Sequence, residues 1–275
     1  MNHLRRNLLL AAASLAFATA AHAKDPKELV IGTSSGPYSD QLKLGIKPIL
    51  EKQGYKVKIV EFNDYVQPNY ALAEGSLDAN VFQHIVYLTK FATDNKLPLS
   101  ALITVPTMPI GLYGGKQKTL AEVKNGATIT MPNDPTNQAR ALVMLAKMGW
   151  IKLKPNVDPL RASERDVLEN PKKLKLVPLE AAQLPRSLAD ADYAFVNGNF
   201  ALAAGMKLTS ALSVEKISDS YINLVAIRTA DKGKPWVKDL EAAYRSRAFL
   251  DATNKYLAGY EKTDYQLALE KTLKK

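Results

Sequence analysis

From Leu29 onward the chain alternates short β-type runs with amphipathic helical stretches. That alternation, more than any other feature, restricts the fold to the α/β class with largely parallel sheets. Leu29-Val30-Ile31 is a buried-strand run that stops at Gly32, and a helical stretch from Tyr38 to Lys52 follows, closed by Gly54 where a helix cap belongs. Lys56 to Phe62 alternates polar and apolar residues like a strand with one wetter face. The same grammar gives a short helix over Asp64 to Ala73, extended chain over Asp78 to Phe82, a helix over Ile85 to Ala92, and strands at Ala101 to Val105 and Ile110 to Tyr113. It then starts again. Ala127 to Met131 reads as a strand and Pro135 to Met148 as a strong helix, with further strands at Leu174 to Val177, Tyr193 to Val196 and Ile222 to Ile227. Leu120 to Val123 and Leu184 to Ala189 are shorter helical pieces. Helices over Trp236 to Tyr256 are expected to return to the first lobe. The expected layout is one lobe from 24–110 plus 226–275 and a second from 111–225.

Met1 to Ala23 stands apart from this pattern. Arg5 and Arg6 precede an apolar run from Leu8 to Ala20, and Ala21-His22-Ala23 supplies small residues where a signal peptidase reads. The run is too short to span a bilayer, so the expectation is a cleaved secretory leader, a mature chain that starts at Lys24, and a soluble periplasmic protein. The chain has no cysteine, which removes thiolate chemistry, zinc ribbons and disulfides and leaves no residue to acylate as a lipoprotein anchor.

The catalytic inventory is thin. His3 and His22 fall within the expected leader, leaving His84 as the one histidine beyond it. Neither a G-x-S-x-G elbow nor a G-x-x-x-x-G-K-[ST] loop is present. No catalytic residue, cofactor or metal is therefore expected. The net charge of +10 is spread along the chain rather than gathered in a basic stripe with aromatics, so no nucleic-acid partner is expected.

Four segments place polar and aromatic residues at strand ends, where open α/β sheets bind ligands. These are Phe62 to Asn69, Asp78 to His84, Met131 to Arg140, and Phe195 to Asn199. In the third, Asp134 suits an N-cap and Pro135 the first helical turn. Asn137 and Arg140 then share one face. The helix dipole and the guanidinium make that corner a receptor for a carboxylate, although a capped helix with Arg140 in a surface pair fits the same residues. Tyr65, Phe82, Tyr87 and His84 read singly as core; Asn63, Asn69, Asn80, Asn197 and Asn223 read singly as turns or caps. Their convergence suggests a pocket for a small amphipathic zwitterion.

Those same stretches resemble a known family. Asn63-Asp64-Tyr65-Val66-x-Pro68-Asn69, Asp78-Ala79-Asn80-x-Phe82-Gln83-His84-x-x-Tyr87-Leu88 and Pro132-Asn133-Asp134-Pro135-Thr136-Asn137-x-x-Arg140 are similar to motifs of the MetQ/NlpA family. So are Glu169-Asn170-Pro171-Lys172-x-Leu174, Gln183-Leu184-Pro185-Arg186-Ser187-Leu188 and Tyr221-x-Asn223-Leu224. The family comprises methionine-binding proteins of bacterial ABC importers. The resemblance covers nearly the whole chain after the leader. It implies a two-lobed periplasmic-binding-protein fold (type II-like), with methionine held in a cleft between the lobes and passed to an inner-membrane permease with a cytoplasmic ATPase. L-methionine is the expected ligand, with the D form open. By the same resemblance Tyr65, Phe82 and His84 line the thioether pocket, Arg140 holds the carboxylate with Asn137 beside it, and Asn197 and Asn223 complete the polar cage. The chain departs from the family in three places: it has no anchor cysteine, Ala139 stands where many members have Gly, and Phe200 stands where Tyr is usual. Other readings are the same scaffold tuned to another amino acid or a short peptide, and a periplasmic enzyme with His84 as base beside Asp64 or Asp78.

Overall fold

A computed structural model describes residues 25–274. The expected leader, Met1 to Ala23, and the cleavage point at Lys24 lie outside the described residues. Two five-stranded sheets form the centres of two lobes. The first has the order β2-β1-β3-β12-β4, built from β1 (Glu28–Ser34), β2 (Lys56–Phe62), β3 (Ala79–His84), β4 (Leu99–Thr104) and β12 (Asn223–Arg228). The second has the order β11-β5-β10-β6-β9, built from β5 (Ile110–Gly114), β6 (Thr128–Pro132), β9 (Lys175–Leu179), β10 (Tyr193–Asn197) and β11 (Ser213–Val214). A short ribbon of β7 (Lys152–Leu153) and β8 (Val167–Glu169) flanks the second.

Each sheet is parallel except for one reversed strand. β12 runs against β3 and β4, and β5 runs against β10 and β11. These are the strands reached straight after a crossing between lobes, so the chain enters each sheet backwards and the two crossings run side by side. The crossings are bonded to each other: Val105 N–H donates to the Asn223 carbonyl at 2.7 Å, and Asn223 N–H donates to Thr107 Oγ1 at 2.8 Å. The expected lobe boundaries need correction here. Asn223 to Val225 pair with β3 and β4 in the first sheet, and Ile110 pairs with Asn197 in the second.

The core of the first lobe joins Leu29, Ile31, Val57, Val81 and Ile227 to Trp236, Leu240, Tyr244 and Phe249. The C-terminal helices do return to the first sheet. Ile110, Ile129, Leu142, Leu145, Tyr193 and Phe195 anchor the second lobe. A third apolar cluster spans the lobes, with Tyr65, Phe82 and Tyr87 from the first against Tyr113, Val196 and Phe200 from the second.

The helical stretch expected over Tyr38 to Lys52 is interrupted. It runs Pro37–Asp40, then a π-helical segment Gln41–Ile46, then Lys47–Lys52. Pro48 has no N–H to give to the Leu44 carbonyl, and the wider turn absorbs that missing bond. Gly54 closes the stretch at φ +85°, a conformation open to glycine. The helix Asp264–Leu273, headed by a reciprocal Thr263–Gln266 capping box, was not expected from apolar periodicity. Most of its residues face solvent.

Candidate functional site

The site lies where the ends of four strands meet between the lobes. β3 ends at His84, whose Nδ1 accepts the Tyr87 N–H at 3.2 Å and thereby caps the helix Ile85–Asp94. Just before it, the register pairs Gln83 with Leu224 but Val81 with Val225, so Phe82 is the extra residue of a bulge. A bulge re-aims side chains, and Phe82, Gln83 and His84 all reach one cavity. Opposite, β6 leads into the helix Pro135–Lys147, which carries Asn137 and Arg140, and β10 ends on Asn197. Asn223 opens β12 beside His84.

All seven residues expected at the site, Tyr65, Phe82, His84, Asn137, Arg140, Asn197 and Asn223, line this one cavity. One wall is aromatic: Tyr65 stacks on Phe82 with ring centres 5.7 Å apart, Tyr87 meets both edge-on, and Phe200 lies 5.0 Å from Tyr65.

The other wall is polar and its bonds are specific. Arg140 is 4% exposed, yet its guanidinium is fully oriented. Nε donates to both oxygens of Glu215 at 3.0 and 3.1 Å, Nη2 donates to Glu215 Oε2, and Nη1 donates to Asn137 Oδ1 at 2.8 Å. The Tyr221 ring lies under the guanidinium carbon at 4.7 Å, a cation–π contact. Burial works against the charge of Arg140, but Glu215, with Tyr221 and Tyr65, raises its pKa above the ordinary value. The surface-pair alternative for Arg140 is thereby set aside: its partner is a carboxylate nearly as buried as itself.

Asn137 is a hub. Its Oδ1 accepts from Arg140, from Asn197 Nδ2 at 3.1 Å and from His84 at 3.4 Å, while its Nδ2 donates to both Asp134 oxygens. Asp134 caps the helix as expected, accepting the Asn137 N–H at 2.9 Å. The helix N-terminus is therefore already served by the chain's own carboxylate, and the positive group that faces the cavity is the guanidinium. Because His84 Nδ1 accepts a bond, Nε2 carries the ring proton and faces Asn137. Burial, reinforced by the Arg140 charge, pushes the His84 pKa down to about 3, so the ring is neutral at physiological pH.

Two amides have acceptors to spare. Asn197 is 6% exposed and its Oδ1 has no hydrogen-bond partner among the described residues. Asn223 uses its Nδ2 on the Phe82 carbonyl at 3.0 Å. The sequence did not single out Tyr38 and Met108, which also line the cavity, or Glu215 behind it, and it marked Asn199, another lining residue, only as the end of the fourth segment. Asn199 holds the lobes together, accepting from the Tyr65 hydroxyl at 2.7 Å and donating to Ser34 Oγ at 3.2 Å.

Residues 29–264 match the family described as NlpA lipoprotein. The chain belongs to the NlpA lipoprotein family. A relative in Escherichia coli (strain K12), a D-methionine-binding lipoprotein, MetQ, is 41% identical over 239 residues, covering 86% of this chain and 88% of that protein. Among NlpA-like solved structures, a nutrient binding protein from Burkholderia cenocepacia bound to methionine is 41% identical, covers 86% of this chain and 99% of its own, and superposes with a TM-score of 0.80. A crystal structure of the methionine-binding protein MetQ is 40% identical, covers 87% and 99%, and has a TM-score of 0.81. The two-lobed fold is that of the family.

Proposed function

We propose that this chain is the substrate-binding protein of an ABC importer and holds methionine in the cavity between its lobes. The observation that carries the reading is the division of the cavity into an aromatic wall and a polar wall with unspent bonding capacity. A guanidinium has five N–H donors. Arg140 commits one each from Nε, Nη1 and Nη2, which leaves two for a ligand carboxylate in a fork. Asn197 Oδ1 and Asn223 Oδ1 are acceptors suited to an ammonium group. Tyr65, Phe82 and Tyr87 suit a thioether, since sulfur packs favourably on rings. The names of the relatives support the same ligand.

Binding works by closure: ligand contacts to both lobes favour the closed form. The enzyme reading is less well supported: the Nδ1 of a neutral His84 already accepts the Tyr87 N–H, and Asp64 and Asp78 are not among the residues lining the cavity. We place the protein in the periplasm on the leader motif and the likeness to the MetQ lipoproteins; no helix among the described residues is long and apolar enough to cross a membrane. Its partner there is an inner-membrane permease. Isothermal titration of ligand-stripped protein with L- and D-methionine tests the function. Saturable one-to-one heat with either enantiomer, and none with glutamate or lysine, is expected. Silence with both enantiomers refutes it.

A further inference from the structure

Glu215 does not line the cavity, yet it holds Arg140 with three hydrogen bonds. It sits directly after β11, where Val214 and Lys216 face solvent, so strand alternation turns Glu215 inward. Its backbone N–H donates to the Ile110 carbonyl at 3.0 Å, which fixes the residue. Its side chain is 9% exposed. Burying a carboxylate against an arginine is a poor way to gain stability, because desolvation offsets most of the attraction. The pair needs another explanation, and the charges around the cavity supply one.

Arg140 carries one positive charge and Glu215 one negative, while His84 is neutral. The other polar groups around the guanidinium are the Asn137 amide, the Asn197 amide bonded to it, and the hydroxyl-bearing rings of Tyr38, Tyr65 and Tyr221. Asp134 lies one residue further back, bonded to Asn137. The fixed charge beside the ligand therefore sums to zero from Arg140 and Glu215, or to one net negative charge when Asp134 is counted. A cavity with Arg140 alone would take any small apolar carboxylate. With the charge cancelled, a bare anion gains little, whereas a zwitterion aligns its carboxylate with the guanidinium and its ammonium with the amide oxygens and the nearby carboxylates.

We propose that Glu215 is a specificity-determining positioning residue: it aims the Arg140 fork and cancels its charge, so that the cavity selects ligands bearing an α-ammonium beside the carboxylate. The inference rests on reading the cavity as an α-amino-acid site.

The test is a titration of ligand-stripped protein with methionine, its deaminated analogue 4-(methylthio)butanoate, and methioninol, which keeps the ammonium and lacks the carboxylate. Both single-charge analogues are expected to bind the parent protein at least about 100-fold more weakly than methionine. Glu215→Gln should cut the preference for methionine over the deaminated acid by about tenfold or more, since Arg140 then stands uncancelled. Glu215→Asp keeps the charge and should keep the preference, even if both affinities fall. If Glu215→Gln shifts methionine and the acid by one common factor, Glu215 is only a structural brace and the inference is overturned. Should that variant not fold, the parent alone decides, because an acid that binds within tenfold of methionine shows a net-positive cavity and overturns it equally. A parent that binds none of the three ligands instead refutes the amino-acid reading itself.

Discussion

Asn199 offers a way to measure what bonds between the lobes contribute to closure. It belongs to the second lobe, and both of its side-chain bonds go to the first: it accepts from the Tyr65 hydroxyl at 2.7 Å and donates to Ser34 Oγ at 3.2 Å. Both partners are buried. In an open form they would be hydrated, so Asn199→Ala should cost free energy in the closed form alone. Two net hydrogen bonds at about 0.5–1.5 kcal/mol each amount to about 1–3 kcal/mol. If ligand binds only the closed form, the whole cost appears in the affinity, as a rise in Kd of roughly five- to 150-fold. Calorimetry reads the affinity, and thermal unfolding without ligand reads the lobes, which should change little. Tyr65→Phe removes one of the same bonds, so the double variant should be less than additive. An Asn199→Ala protein that binds methionine as tightly as its parent, or a strictly additive double variant, would refute the idea that this asparagine latches the lobes.

Arg140→Ala should weaken methionine binding by about 2–5 kcal/mol and also lower the unfolding free energy of the unliganded protein, because Glu215 is left buried and unpaired; Arg140→Lys should recover only part of the affinity, since an ammonium cannot form the fork. Calorimetry and denaturant melts check both. Methionine should bind far more tightly than alanine, with norleucine between them; Phe82→Ala should narrow the methionine–alanine gap and Asn223→Ala should weaken both ligands alike, and equal parental affinity for alanine and methionine would remove the role given to the aromatic wall. The folded-state pKa of His84 lies near 3, below its unfolded value near 6.5, so between those values the unfolded chain binds the extra proton. Its contribution is unchanged above about pH 6.5 and stability falls by up to about 1.4 kcal/mol per pH unit below it. His84→Gln should flatten that part of the pH–stability curve, and a curve of unchanged slope would show that other groups set it.

Much of the fold was legible because strands and helices announce themselves by period. β2 fell on Lys56 to Phe62 as read from its alternation, and the Asp134 cap, with Pro135 behind it, marked the start of its helix. What failed had local causes. Pro48 sits inside a stretch whose apolar spacing looks helical, and spacing cannot say how a missing N–H will be absorbed. The end of the second lobe was misplaced because Ile222 to Ile227 is an apolar run with no mark of which sheet it joins; only pairing with His84 and Thr104 decides that. The short β7–β8 ribbon is too brief to show a period.

The site divides in the same way. Residues that lie at strand ends beside turn chemistry, such as His84, Asn137 and Asn197, could be picked out one by one, and the cavity gathers them. Residues that act through a partner could not. Glu215 lies in an unremarkable Ser-Val-Glu-Lys stretch, 75 positions from the arginine it holds, and nothing in its neighbours distinguishes it from a solvated surface acid. The difference is physical. A ligand-facing residue must sit where the backbone presents a strand end, which leaves a local trace; a residue that neutralises a buried charge needs only to arrive from anywhere in the chain with the right sign and reach. Arg140 itself carried the clue. A guanidinium buried in a cavity that is to hold a neutral zwitterion requires a buried counter-charge, so the sequence posed the question of which acid would supply it, and the fold answered with Glu215.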